Sequence, residues 1–166
     1  MVKAKNKHQL KLMEKSGQIS STALKRALAA VKVGVSALEL ERVAGDEIHK
    51  LGGKWSYKTV PGYKFATCIT FNEQVVHGIP TDRVIKDGDL VSIDLAAMYQ
   101  GLHTDIAWTE LVGKDSGKER FLEVGKKALA AGVSQAVIGN RLGDISAAIQ
   151  ENIEGAGFHV VRSLVG

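Results

Sequence analysis

Two aspartates, Asp94 and Asp105, are the residues of this 166-residue chain whose type and spacing best suit chemistry. Both lie in the stretch 89–108, which reads as two strands around a tight turn, because β-branched and apolar residues favour strands and glycine favours turns. A loop centred between Tyr99 and Gln100 predicts that Asp94 lies directly opposite Asp105. The same register predicts apolar pairs on the other face, Ile93 with Ile106 and Val91 with Trp108.

Residues directly opposite each other on antiparallel strands have Cβ atoms about 4.5–5.5 Å apart. Two ionised carboxylates repel at that distance, so such a site protonates one acid, solvates both or holds a cation. Converging carboxylates suit a small divalent metal ion, or two ions that share a bridging carboxylate. The pattern alone also allows a solvated hairpin edge with two unrelated acids. His103 shares the carboxylate face in this register and could approach a metal ion. We expect it to lie beside the metal ligands or in solvent and not to bind the metal itself.

The composition is that of an ordinary globular protein, with 45% hydrophobic and 24% charged residues and a net charge of +4. The single cysteine, Cys68, excludes an intrachain disulfide and fits a reducing compartment. Neither a secretory signal nor a run of about 18 apolar residues is visible. Six basic or histidine side chains near the start favour a solvated tail over an RNA or ribosome contact, and these are Lys3, Lys5, Lys7, His8, Lys11 and Lys15.

The elements that must position the two acids follow from periodicity and turn residues. Four helices are predicted, at His8–Val31, from the Ser36–Glu39 capping box to Leu51, at Glu119–Val137 after a second capping box at Ser116–Glu119, and from Leu142 to about Gly155. Besides the hairpin, strands are predicted at Phe65–Phe71, Gln74–His77 and Phe158–Val165, with a loop or ragged strand at Trp55–Tyr63.

An internal repeat appears when the sequence is shifted by 105 residues. Gly34 then falls on Gly139 and Gly52 falls on Gly157. Both copies read as helix, break, helix, glycine stop and strand. Since the strands of the second copy barely begin before Gly166, the pattern predicts a duplicated fold cut partway through its second half.

Three segments together carry a family resemblance. Residues 72–80 read N-E-x-x-x-H-G-I-P, residues 88–94 read G-D-x-x-x-I-D, and Asp105 follows eleven residues later. Over 11–166 the chain resembles the type I methionine aminopeptidases, metal-dependent enzymes that remove the initiator methionine. The resemblance implies an α/β (α+β) pita-bread fold, an antiparallel sheet with outer helices, whose internal duplication is incomplete here. It divides the chain into a basic N-terminal tail, 1–10, and the N-terminal part of an aminopeptidase domain, 11–166.

The resemblance assigns roles to five residues. Asp94 and Asp105 match the first two metal-ligand carboxylates of the family, and Asp105 resembles the one that bridges both ions. His77 matches the histidine that contacts the substrate and steadies the transition state. Tyr63 and Cys68 stand where the family lines its methionine pocket, and a cysteine suits such an apolar wall.

The chain also departs from the family pattern. Pro61 stands where many members have a histidine beside the pocket. Residues 161–166 resemble the strand that runs into a His-Gly-x-Gly segment carrying the third metal ligand. That segment, two glutamate ligands and a second active-site histidine are expected beyond Gly166, so the chain holds two of five expected protein ligands.

The implied function is metal-dependent removal of the N-terminal methionine from nascent proteins in the cytoplasm. The implied cofactors are divalent metal ions, two per complete site, chosen among Co, Mn, Fe, Zn and Ni. The expected partners are nascent polypeptides with an N-terminal methionine, with proximity to the ribosome and without a membrane or a specific nucleic acid. The alternatives are a proline-specific aminopeptidase relative and a catalytically incomplete fragment or non-catalytic binding protein of the same fold.

Overall fold

A computed structural model describes residues 4–164 of the chain. It divides into two compact units, the first ending at Lys114 and the second beginning at Asp115. Among the helices of residues 4–164, none combines the length and the apolar character that a membrane span requires. The elements in chain order are α1 (Lys7–Leu28), α2 (Ala37–Lys50), β1 (Lys54–Trp55), a single-turn 3-10 helix (Ser56–Thr59), β2 (Thr67–Phe71), β3 (Leu90–Tyr99), β4 (Leu102–Leu111), α3 (Ser116–Gln135) and α4 (Leu142–Gly155).

Side chains at the N-termini explain where the first two helices begin. Asn6 caps α1 and Ser36 caps α2. In each case the side chain of the third helical residue, Gln9 or Glu39, accepts a hydrogen bond from the backbone amide of the cap. The predicted capping box at Ser36 is therefore confirmed. α1 starts inside the predicted basic segment 1–10 and ends three residues earlier than predicted, because the chain tightens into a turn after Leu28.

The sheet of the first unit is antiparallel around β3. β1 and β2 pair with the same strand, β3, and β4 pairs with β3 as its hairpin partner. One face of the sheet is covered by α1 and α2, which bury a continuous apolar core. The core residues of the two helices and the sheet include Ile19, Leu24, Leu40, Ile48, Ile69, Phe71, Val91, Ile93 and Leu95. This agrees with the predicted α/β class with outer helices.

A polar network ties α1 to the hairpin beneath it. The Ser16 hydroxyl donates to the backbone carbonyls of Ala97 (3.2 Å) and Leu102 (3.1 Å), one on each strand. The Ser20 hydroxyl lies 2.9 Å from the Thr104 hydroxyl and accepts from the Ala97 amide at 3.3 Å. Both serines are buried, so these bonds satisfy polar groups inside the core and fix the helix over the hairpin.

The register of the hairpin differs from the prediction. The loop is Gln100–Gly101, and both residues have positive φ, 48° and 81°, as a two-residue hairpin turn of type I′ requires. The predicted loop centre, one residue earlier, would have placed Tyr99 in that strained region. Each residue consequently pairs two positions further along β4 than predicted.

The predicted cross-strand pairs are therefore wrong. Asp94 pairs with Ala107, and Asp105 pairs with Ala96. On the other face, the observed partners are Ile93 with Trp108, Leu95 with Ile106 and Val91 with Glu110. Because the error is two residues, which is the side-chain period of a strand, both aspartates still project from the same face.

Several other predicted elements are corrected. Gln74–His77 is not a strand, because a turn closed by the bond from the Gln74 amide to the Phe71 carbonyl leads into irregular chain. Asp115 caps α3 by accepting from Gly117 and Lys118, so the predicted capping box at Ser116 does not form. Residues 158–164 form no strand, and Val165, the end of that predicted strand, lies outside the described residues.

The second unit is a helical hairpin that supports the repeat. Displacing α2 by 105 residues gives the bounds of α4. The matched glycines also share a backbone conformation, with φ of 91° at Gly34 and 102° at Gly139, and 82° at Gly52 and 84° at Gly157. Helix ends displaced by the same 105 residues, together with similar left-handed glycines, follow from a duplicated unit more readily than from chance.

Candidate functional site

The face of the sheet opposite the helices brings the two aspartates together. Asp94 on β3 and Asp105 on β4 are diagonal neighbours, a relation that places Cα atoms about 7–8 Å apart and still lets longer side chains meet. Both side chains converge on one atom, the phenol oxygen of Tyr57. That hydroxyl lies 2.6 Å from Asp94 Oδ1 and 3.2 Å from Asp105 Oδ2.

The closeness of the acids perturbs their titration. Desolvation, and then the negative charge of Asp94, raise the pKa of Asp105 to about 6, although Tyr57 and the Ile106 amide act in the opposite direction. A second carboxylate beside the first is thus held with difficulty in its charged form. A bound cation removes that difficulty, since it offsets both negative charges.

Tyr57 is a site residue that the sequence did not reveal. Trp55 pairs with Ala97, and the chain then continues along β3 towards Asp94 as the 3-10 helix, which carries Tyr57 over the acids. Burial, followed by the hydrogen bond to Asp94 and the charges of both carboxylates, raises the pKa of the Tyr57 phenol. The phenol therefore keeps its proton and acts as a hydrogen-bond donor to the acids. Nothing in the loop-like sequence of this segment indicates that contact, because it depends on how β1 pairs with β3.

The two predicted pocket residues, Tyr63 and Cys68, lie next to the acids. Cys68 on β2 pairs with Asp94, so its side chain emerges on the carboxylate face. The Tyr63 hydroxyl donates to the Thr67 carbonyl (2.7 Å) and lies 3.2 Å from Cys68 Sγ. Burial raises the pKa of the Cys68 thiol, which makes it a small apolar group and not a nucleophile.

Aromatic rings continue this wall beside the acids. The Tyr63 ring meets Tyr57 edge-on at 5.9 Å and Phe65 at 5.8 Å between centroids. These T-shaped contacts are a favoured geometry for aromatic pairs. The result is a row of rings that ends at the carboxylates.

A buried carboxylate on α2 supports the start of β2 and hence the pocket. Glu41 is 6% exposed and accepts hydrogen bonds from the amides of Ala66 (2.6 Å) and Thr67 (2.9 Å) and from the Thr67 hydroxyl. It therefore fixes the residue that precedes Cys68. Glu41 was not among the predicted site residues, because its sequence position marks it only as a polar residue of a helix.

His77 stands apart from these residues. It is exposed, and its backbone has φ of 57°, a region that few residues other than glycine adopt. The following residue, Gly78, accepts from the Ile69 amide at 2.8 Å, so His77 flanks β2. Within the described residues no hydrogen bond joins His77 to the acids or to the pocket.

His103 lies on the carboxylate face, as strand alternation predicted. It is exposed, and its Nδ1 lies 2.7 Å from the Ser56 hydroxyl.

Among residues 4–164 no group of three or more His, Cys, Asp or Glu side chains is arranged to hold a metal ion. The donors that this part of the chain offers are thus the two carboxylates, whose oxygen atoms suit hard or borderline divalent cations.

The sequence matches a known family along most of its length. The profile of metallopeptidase family M24 matches residues 11–166. Methionine aminopeptidase 1 of Bacillus subtilis is 40% identical over 167 aligned positions, which cover 100% of this chain and 67% of that protein. A methionine aminopeptidase of Clostridium perfringens is 38% identical with the same coverage.

Solved structures give the same result. The methionine aminopeptidase of Thermotoga maritima superposes with a TM-score of 0.97 at 38% identity, over 100% of this chain and 68% of that one. The prolidase of Pyrococcus furiosus superposes with a TM-score of 0.79 at 24% identity, over 92% of this chain and 44% of that one. The second likeness concerns the fold alone.

Proposed function

The chain belongs to metallopeptidase family M24, and we propose that it acts in the metal-dependent hydrolysis that releases the N-terminal methionine of polypeptides. The observation that carries this proposal is the convergence of Asp94 and Asp105 beside the apolar wall of Tyr63 and Cys68. An acid pair supplies metal ligands and an adjacent apolar wall supplies selectivity. The similarity to proteins named methionine aminopeptidase supports the choice of substrate.

The two aspartates would hold the metal. Their oxygens are hard donors. Burial and the charge of Asp94 raise the pKa of Asp105, so a positive charge placed between the two carboxylates would be stabilised. A metallopeptidase requires divalent ions, and we propose two of them in the complete site, which Asp94 and Asp105 would help to hold. When bound, such ions lower the pKa of a water molecule and polarise a carbonyl group.

The wall beside the acids would receive the methionine side chain. The neutral Cys68 thiol and the Tyr63 ring offer soft, polarisable surface, and a thioether contacts aromatic rings favourably. The bond from Tyr63 to the Thr67 carbonyl orients its ring, and the Glu41 contacts hold Thr67 in place. Selectivity would thus come from a supported apolar surface and not from a charged group.

His77 would steady the reacting peptide. An imidazole N–H donates to the oxygen on which negative charge develops during amide hydrolysis. Its exposure leaves the ring accessible to a substrate, and its left-handed backbone is the kind of local strain found at functional positions. A bound peptide would lie across β2 and contact both His77 and the acid pair.

The proposed partners are nascent polypeptides that begin with methionine. We place the reaction in the cytoplasm and near the ribosome, where such chains emerge. The single cysteine, Cys68, agrees with a reducing compartment. The basic side chains of the α1 segment that the structure describes, such as Lys7 and Lys11, are exposed.

A turnover assay tests the proposal. The protein is incubated with Mn²⁺ or Co²⁺ and the tripeptide Met-Ala-Ser, and free methionine is measured by chromatography, with Ala-Pro-Ser as the substrate of a proline-specific enzyme. We expect methionine release that Asp94→Asn and Asp105→Asn abolish and that Asp46→Asn, a change in an exposed acid of α2, leaves intact. Absence of methionine at saturating metal would contradict catalysis by this chain and favour a catalytically incomplete fragment or a non-catalytic binding protein. Cleavage of Ala-Pro-Ser alone would favour the proline-specific alternative.

A further inference from the structure

We propose that Tyr57 is the positioning residue of the acid pair, and that its hydroxyl orients Asp94 and Asp105 for a divalent cation. This inference rests on the proposed function, because it concerns the same two carboxylates. It adds a residue that touches neither the cation nor the scissile bond directly. Its role is to fix the orientation of groups that do.

The geometry of the phenol carries the inference. The 2.6 Å bond to Asp94 Oδ1 is short, as is usual for a hydroxyl that donates to a carboxylate, and the 3.2 Å contact reaches Asp105 Oδ2. One hydroxyl thus spans two carboxylates on different strands. Since Asp94 and Asp105 are diagonal and not opposite, strand pairing alone does not fix their relative orientation.

The segment that carries Tyr57 is itself held on both sides. The preceding residue, Ser56, is buried and bonds His103 Nδ1 at 2.7 Å, which ties the 3-10 helix to β4. The Tyr57 ring packs edge-on against Tyr63 at 5.9 Å. A phenol anchored by its neighbour and by its ring has few alternative orientations, so it can impose its direction on the acids.

The bond leaves the carboxylates available to a cation. Each ionised carboxylate has about four lone-pair sites, and the single phenol proton, shared between the two acids, occupies at most one site on each. Hydrogen bonds to ligating carboxylates are a common feature of metal sites, and their loss typically weakens metal affinity about 10- to 100-fold. The hydrogen bonds from Tyr57 therefore leave most of the acceptor sites of both acids free to bind a cation.

Cation affinity separates this role from a packing role. The protein is titrated with Mn²⁺, and free Mn²⁺ is followed by electron paramagnetic resonance. Tyr57→Phe keeps the ring and its contact with Tyr63 but removes the hydroxyl. Tyr99→Phe is the matched control, because Tyr99 is a partly buried tyrosine of β3 that packs against the helix-covered core. Thermal unfolding followed by circular dichroism verifies that both variants are folded.

We expect Tyr57→Phe to raise the dissociation constant for Mn²⁺ at least about 10-fold and Tyr99→Phe to change it less than twofold. An affinity of Tyr57→Phe equal to that of the wild type would overturn the inference while leaving the metal site intact. A tighter affinity would also overturn it, since the phenol would then compete with the cation. Failure of the wild type to bind Mn²⁺ through Asp94 and Asp105 would instead refute the metal centre of the proposed function itself.

Discussion

Replacing Asp105 by asparagine should stabilise the metal-free protein at neutral pH. In the folded chain burial and the charge of Asp94 raise the pKa of Asp105 to about 6, whereas an aspartate in an unfolded chain has a pKa of about 3.9. Between these values the folded state binds more protons than the unfolded state. The free energy of unfolding of the wild type therefore falls as the pH rises through this window.

The size of the effect follows from the two pKa values. A difference of about two units corresponds to about 3 kcal/mol at 1.36 kcal/mol per unit. Although neighbouring groups partly desolvate its carboxylate, Asp105 remains exposed to solvent, so screening reduces this figure and about 1 kcal/mol is the expected contribution. The amide of Asp105→Asn is neutral at every pH and can still donate to Asp94, as the protonated acid does.

Thermal unfolding in a chelating buffer at pH 4 and pH 7.5 measures this contribution. The variant and the wild type should melt together at pH 4, and at pH 7.5 the variant should melt about 3 °C higher. Taking the difference between the proteins at each pH cancels the titration of all other groups. Asp46→Asn, in an exposed acid paired only with Arg42 among described residues, should show no such pH dependence.

A metal ion should reverse the ranking. Saturating Mn²⁺ binds the folded wild type and stabilises it according to ligand concentration and affinity, while the variant lacks one of the two carboxylates. The prediction is contradicted by a melting difference in chelator that is the same at both pH values, or by a variant that is less stable than the wild type at pH 7.5. Either result means that the two carboxylates do not oppose each other in the folded protein.

Two further substitutions test how the site is supported. Glu41→Gln should lower the free energy of unfolding by about 2–3 kcal/mol, because the buried amide group presents a donor to amides that need an acceptor, and chemical denaturation measures this. Gly78→Ala should cost about 1–3 kcal/mol and displace the adjacent His77, since the new Cβ would overlap the Ile69 carbonyl oxygen, and the melting temperature together with the Michaelis constant for Met-Ala-Ser checks it.

The helices were predictable because their signals are local. The capping box at Ser36 and the glycine stop at Gly52 lie within or beside α2, and periodicity defines the face between them. The bounds of α4 then follow from the repeat. The second capping box failed for a local reason as well, since Asp115 competes one residue earlier and caps two amides with one carboxylate.

The positions of the candidate site residues were predictable only where a motif or strand alternation indicated them. Asp94 and Asp105 lie on the two strands of one hairpin, so alternation assigns their side chains to one face. Cys68 was placed beside them by the family resemblance alone, because its pairing with Asp94 depends on how β2 aligns with β3. Tyr57 lies on a 3-10 turn that reaches the acids through pairing between residues more than forty positions apart. No periodicity records such a contact. The role of His77 stays a prediction, because the turn that replaces its predicted strand leaves the imidazole exposed and beside β2.

The hairpin explains why a wrong register still led to the right face. Placing the loop one residue early moves every partner by two positions, and a displacement of two preserves the side of the sheet on which a side chain emerges. An error of one would have sent Asp105 to the helix-covered face, where an unpaired carboxylate is costly. An error of two residues in the register therefore leaves the predicted face of each side chain correct, but it makes the predicted cross-strand distances wrong. The diagonal relation of Asp94 and Asp105 does not fix the relative orientation of their carboxylates. The Tyr57 hydroxyl, which contacts both carboxylates, supplies that constraint.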